Sequence, residues 1–159
     1  MANPKIRFNL DLNINFQSES GLQSLQDLFD KKMEEIEKNA EEAVQELGEM
    51  TQELMVANIE ANGSVKTGAF VNSIVVQFED SMTFLVGANL SSIVPTIIEE
   101  GRGEVHATNA NFLHYESDGK EYFVKSVGGY EGAPYIRPTA EAISNVAKDV
   151  ILNKISSSG

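Results

Sequence analysis

Three observations predict an α+β fold for this 159-residue chain, with a mostly antiparallel sheet built from two hairpins and an N-terminal strand. The chain opens on a period of two and changes to a helical period for about forty residues. It then shows two pairs of apolar runs, each centred on a polar turn, before a last helical pattern. Hairpins pair antiparallel, and helices of this kind cover one face of such a sheet.

The opening stretch, residues 4–16 (PKIRFNLDLNINF), alternates without a fault. Ile6, Phe8, Leu10, Leu12, Ile14 and Phe16 point one way, and charged or amide side chains point the other, which predicts one long half-buried strand. From about residue 20, Leu22, Leu25, Phe29, Met33, Ile36, Ala40, Ala43, Leu47, Met50, Leu54, Ala57 and Ala61 recur at spacings of three and four. This predicts one amphipathic helix over 20–62, with Gly48 as a point of interruption and Asn62-Gly63 as its end. At 1.5 Å per residue it reaches about 60 Å, more than one small domain covers, so part of its stripe is expected to pack on another subunit.

Residues 71–78 and 82–88 predict a first hairpin around Glu79-Asp80-Ser81. A short helix is expected from about Ser92, with Pro95 in its first turn, to Glu100, stopped by Gly101. Residues 101–111 read as a loop. FLHYESDGKEYFVKSV reads as a second hairpin turning at Ser117-Asp118-Gly119-Lys120. A glycine-rich loop, GGYEGAP, leads to a last helix starting at Pro138 that buries Ala140, Ile143, Val146, Ala147, Val150, Ile151 and Ile155. The whole is expected to be one domain over 1–159: a strand or arm at 1–18, the long helix, hairpins and final helix over 63–155, and a flexible tail at 156–159.

Twenty-four acidic residues against twelve basic ones give a net charge of −12. Up to Asn62 there are 13 acids and 5 bases, and beyond it 11 and 7, so the first part is the more acidic. Phosphate neutralisation by Lys and Arg drives bulk nucleic-acid binding, so that function class is disfavoured. With no cysteine, disulfides, thiolate metal sites and cysteine nucleophiles are excluded. No signal peptide and no membrane span are expected.

The most chemically loaded stretch is IIEEGRGEVHA at 97–107, which concentrates three carboxylates, a guanidinium and an imidazole around two glycines. His106 and His114, with Glu99, Glu100 and Glu104, match no metal-ligand spacing, and one histidine is placed in a loop and the other in a strand. Adjacent glutamates on a short helix splay about 100° apart, which does not suit a carboxylate pair. There is no Gly-x-Ser-x-Gly elbow, phosphate loop or Walker lysine. No catalytic residue, cofactor or metal is therefore expected. Glu99 and Glu100 sit unfavourably at a helix C-terminus and would gain from a cation, which predicts pairing with Arg102 or Arg137 within or between subunits.

Three segments together resemble a known family. Thr67-Gly68-Ala69-Phe70-Val71-Asn72-Ser73-Ile74 is similar to its Thr-Gly-x-Leu-x-x-Ser-Ile segment, and Ile98-Glu99-Glu100-Gly101-Arg102-Gly103 to its Glu-aromatic-Gly-Thr-Gly segment. Ala133-Pro134-Tyr135-Ile136-Arg137-Pro138-Thr139-Ala140 is similar to its Pro-Phe-Leu-Arg-Pro-Ala motif. The family is the tail-completion, or head–tail joining, neck proteins of long-tailed bacteriophages, and the resemblance covers about residues 25–155. Glu100 stands where the family has an aromatic, Phe70 where it has leucine, and Val94-Pro95 where Tyr-Ala is common. The resemblance implies a non-enzymatic virion subunit that assembles as a homo-oligomeric ring in the neck after a phase in the host cytoplasm. Its partners would be head-completion or connector proteins and tail-terminator or tail-tube proteins, with DNA passing but not specifically bound. It further implies that Glu99, Glu100, Gly101, Arg102, Tyr130, Pro134, Tyr135 and Arg137, on the loops 97–107 and 128–137, lie at an interface. Two other readings of the residues stay open. One is a small metal- or carboxylate-dependent hydrolase on Glu99, Glu104, His106 and His114; the other is a coiled-coil homodimeric adaptor joined through residues 22–61.

Overall fold

The long helical pattern folds as a single helix, α1 (Gln23–Ala61), in the computed structural model, which describes residues 3–14, 23–63, 68–117 and 119–157. Expectations that fall on 15–22, 64–67, 118 and 158–159 lie outside the described residues. Gly48 does not interrupt α1. A Cβ there would lie 2.9 Å from Cζ of Phe78 and 3.1 Å from Cγ2 of Val76, so glycine lets the sheet approach the helix closely. That approach offsets the roughly 1 kcal/mol that glycine costs a helix. Ala40, Ala43, Val44, Leu47, Thr51, Met55 and Ile59 form the buried stripe of α1. The helix ends at Ala61, and Gly63 just beyond it turns the chain away with φ +61°.

Against this stripe lies a three-stranded antiparallel sheet in the order β1-β3-β2, from β1 (Lys5–Asn9), β2 (Ile74–Asp80) and β3 (Thr83–Ala88). Phe8, Phe84 and Phe78 are in register across it, with Phe8 stacked on Phe84 at 5.2 Å between ring centroids. The inner row of Ile6, Val86 and Val76 continues the core, while Arg7 and Glu79 pair at 2.6 Å on the outer face. The first strand is shorter than its alternation predicts. Its partner β3 begins at Thr83, opposite Asn9, so pairing with β3 ends at Leu10, whose N–H donates to the Met82 carbonyl.

Val71 is not the start of the hairpin. Residues Ala69–Asn72 make a short helix, α2, which places Phe70 in the core, edge-on to Tyr135 at 5.5 Å. The middle helix α3 (Val94–Glu100) carries Pro95 in its first turn, as its sequence predicts. The last helix, α4 (Ile136–Ser156), starts two residues before Pro138, because a proline is tolerated in a first turn whose N–H groups have no intrahelical partner. It runs antiparallel to α1: Asn58 Nδ2 donates to Thr139 Oγ1 at one end, and Lys154 pairs with Glu46 at 3.3 Å near the other. The hydroxyls of Ser156 and Ser157 donate to the carbonyls of Leu152 and Lys154 and close the helix. The fold is α+β with antiparallel pairing throughout, but the strands after α3 form no part of the main sheet.

Candidate functional site

The segments read as separate loops, 101–111 and 128–134, contribute to the two legs of one structure. β4 (Gly101–Arg102) pairs with β9 (Tyr130–Glu131), β5 (Val105–His106) with β8 (Ser126–Val127), and β6 (Leu113–Ser117) with β7 (Lys120–Val124), all antiparallel. The Ala107 N–H donates to the Lys125 carbonyl and carries the pairing one step further. Residues 101–131 are thus a single two-stranded β-ribbon, with 108–112 as an insertion in its first leg. Cross-strand positions are about 3.3 Å apart along the chain, so the ribbon reaches roughly 40 Å. Both histidines lie on its strands, in place of the loop-and-strand arrangement expected.

The base of the ribbon is a joint of glycines. Gly101 has φ +81°, and a Cβ on it would stand 2.6 Å from both the Gly132 nitrogen and the Tyr130 oxygen. A Cβ on Gly132 would stand 2.7 Å from the Gly101 nitrogen, so the two backbones touch where no side chain fits. The Ala133 N–H donates to the Ile98 carbonyl at 2.7 Å, and Asn62 Nδ2, at the end of α1, donates to the carbonyls of Ala133 and Pro134.

Glu99 completes the joint by a route the sequence reading did not foresee. One carboxylate oxygen accepts the N–H groups of Tyr135 and Ile136 at 2.7 and 2.8 Å, and the other accepts that of Arg137 at 3.2 Å. Pro138, next in line, has no N–H to satisfy. Every orphan donor of the first turn of α4 is therefore accounted for by one side chain from α3, and its negative charge meets the positive end of the helix dipole. The expected pairing with arginine is not formed within the subunit: among the described residues no ion pair joins Glu99 or Glu100 to Arg102 or Arg137.

Tyr135, placed at an interface by the family resemblance, is instead a core residue with no exposed surface. Its hydroxyl donates to the Pro95 carbonyl at 3.4 Å. Burial, and then the charge of Glu99, push its phenol well above the ordinary tyrosine range. Of the other candidates, Glu100 and Arg137 are exposed, and Arg102, Tyr130 and Pro134 are half-buried. Arg102 donates to the Gly103 carbonyl.

The residues that sequence reasoning passed over are the aromatics of the ribbon. Tyr115 stacks on Tyr122 across one face at 5.2 Å, and His114 on Phe123 across the other at 4.5 Å. All four residues are exposed, as is Phe112, Phe123 the most at 62 %. Along the ribbon an open cavity of about 390 Å³ is lined by Arg102, Val105, Leu113, His114, Tyr115 and Val127. Beyond β4 the ribbon packs only lightly on the rest of the described chain. His106 lies 3.6 Å from Glu104, and His114 lies 3.7 Å from Glu121. No group of three or more His, Cys, Asp or Glu among the described residues is placed to hold a metal ion. Within the described chain, no helix is long and apolar enough to cross a membrane. Comparisons with protein-family models, with curated proteins and with solved structures find no match to this chain.

Proposed function

We propose that this chain is a structural subunit of the neck of a long-tailed bacteriophage, acting in tail completion or head–tail joining as one member of a ring around the DNA passage. The observation that carries the reading is the ribbon arm: an anchored strand pair that shows aromatic rings on both faces and has little of its own chain to cover them. A lone two-stranded hairpin is marginal in water, and exposed apolar patches of this kind mark protein–protein contact sites. The joint at Gly101 and Gly132 fixes where the arm leaves the body, which suits a subunit whose output is placement. The three segments of family resemblance meet here as well: Phe70 contacts Tyr135, and Glu99 caps the helix that begins at Ile136.

Charge supports the same reading. A net charge of −12 suits a channel wall along which DNA slides without sticking. Head-to-tail contacts that close produce rings, and an arm on one side of a subunit gives a contact of that type. In this reading the partners are further copies of the chain, the connector on the head side and the terminator or tube on the tail side, and the protein resides in the virion neck. Glu99 is unsuited to the hydrolase alternative, because both its oxygens are engaged by backbone amides.

Disrupting the gene in its source genome tests the proposal. Filled heads and separate tails should accumulate, and purified protein added to such an extract should join them. Complete particles assembled without the protein would overturn it.

A further inference from the structure

Deepening the neck-subunit reading, on which it rests, we propose that the outer edge of β2 accepts a strand from a second copy of this chain. The donor is β7 of that copy's ribbon arm, laid antiparallel so that the three-stranded sheet gains a fourth strand.

The two edges of the main sheet are built differently. The β1 edge begins after Pro4 and holds Lys5 and Arg7 out to solvent. Charge and proline on an edge strand discourage pairing with another chain. The β2 edge has no such guard over most of its length. Residues 74–78 carry no charge, Val75 and Phe78 are exposed, and among the described residues no strand lies on their far side. Such an edge is a template, because its backbone groups give affinity and its alternate side chains give specificity. Its acids, Glu79 and Asp80, stand together at one end.

β7 fits this template in charge and in pattern. Lys120 opens it and Lys125 follows it, with Glu121 the one acid between, whereas β6 has Glu116 and no lysine or arginine. Charge therefore selects β7 over β6 for the acidic end of β2. Setting Lys120 opposite Glu79 brings Tyr122 opposite Gln77, Phe123 opposite Val76 and Val124 opposite Val75. Phe123 then lies diagonal to Phe78 on the side of the sheet that faces α1, and Val124 covers Val75 on the other side. A slip of one residue would set Glu121 against Glu79 and exchange the two faces.

Other strands of a second copy fit less well. Ile6 and Phe8 already pack against the core, so β1 as donor would cover little new apolar surface. Gly48 lies against Phe78, and Gln52 donates to the Ile74 carbonyl, so α1 sits over β2. Two β2 edges joined directly would bring two α1 helices alongside, each with eleven acids and three bases, a net charge of −8. The arm and the β2 edge are different patches of the subunit, so their contact is heterologous and propagates from copy to copy.

The chain has no cysteine, so single thiols report the contact. Gln77→Cys and Tyr122→Cys proteins, mixed under mild oxidation, should form the mixed disulfide severalfold above its statistical yield. Val75→Cys with Val124→Cys, which leaves the tyrosine stack intact, should behave likewise. Gln77→Cys with Phe123→Cys should give only the statistical yield, since those positions face opposite sides of the extended sheet. Val75→Lys added to the Gln77→Cys protein guards the edge. It should return the mixed yield to statistical with the denaturant midpoint unchanged. Lys120→Glu in the Tyr122→Cys protein should lower the yield severalfold, and Glu79→Lys in its Gln77→Cys partner should restore it. Statistical yield for both opposed pairs overturns the strand-acceptor contact, as does a yield that the Val75→Lys guard leaves undiminished. Dominance of disulfides between two Gln77→Cys chains, or between Gln77→Cys and Lys5→Cys, overturns it in favour of β2 or β1 as donor. These readouts use purified protein, so their failure leaves the gene-disruption result standing, and that result failing leaves these unaffected.

Discussion

Phe84 and Phe123 are both strand phenylalanines in antiparallel pairs, yet the first has no exposed surface and the second is 62 % exposed. Phe84 belongs to a body in which the sheet packs on α1 and α4 closes the other side. Phe123 belongs to a ribbon that depends on its own cross-strand pairs, each contributing roughly 0.2–1 kcal/mol. The difference separates two kinds of residue. Substitutions in the body should appear as lost stability, and substitutions on the arm should appear as lost association.

The sharpest way to break that division is a core truncation. Leu47→Ala should cost about 2–5 kcal/mol in denaturant unfolding, because Leu47 is fully buried at the centre of α1. A cost under about 1 kcal/mol would mean that the body relaxes as freely as the arm. At the boundary, Gly101→Val should cost about 3 kcal/mol, from a β-branched residue at φ +81° whose Cβ meets backbone at 2.6 Å. Glu99→Ala leaves three amides at the head of α4 uncapped and should cost about 2 kcal/mol, with Glu99→Gln costing about half as much. Equal losses for the two would show that packing, not the charge, holds the joint.

Tyr135 gives a pH-dependent test. Its folded-state pKa is raised above the unfolded value, so the neutral phenol stabilises the fold at any pH below about 10, and that contribution is lost as pH rises further. Tyr135→Phe should flatten the fall in melting temperature above about pH 10, at the cost of one long hydrogen bond. An unchanged alkaline profile would place the loss elsewhere. Last and smallest, Phe123→Ser should stay within about 0.5 kcal/mol of the parent in stability. A larger loss would mean that the arm is part of the cooperative unit and not an appendage.

Most of the body was legible in the sequence, because its elements announce themselves by period. Ile6 and Phe8 alternate with Lys5 and Arg7, and the buried residues of α1 recur at three and four. Where the reading departed from the structure, the determining partner is remote along the chain. The first strand stops because β3 starts at Thr83, and Gly48 is explained by Phe78, which no local pattern reveals. The ribbon was half visible. The strands at 113–117 and 120–124 were expected, but the insertion at 108–112 breaks the mirror relation between the legs and hides β5 and β8. A search for pairing with an offset in one leg would have found them. Glu99 was singled out for its chemistry and assigned to arginine, since charge patterns suggest salt bridges more readily than caps supplied from another helix.

Gly101 and Glu131 face each other in register, so the polypeptide departs from the body and re-enters it through one doorway about 5 Å wide. A short Asn-Gly reversal spliced across that doorway would leave α1, α4 and the main sheet chemically untouched. The excursion between is in effect a cassette. It can be shortened, exchanged or grafted onto another scaffold without rewriting its host, and lineages that need a new neighbour could acquire one by trading this segment alone.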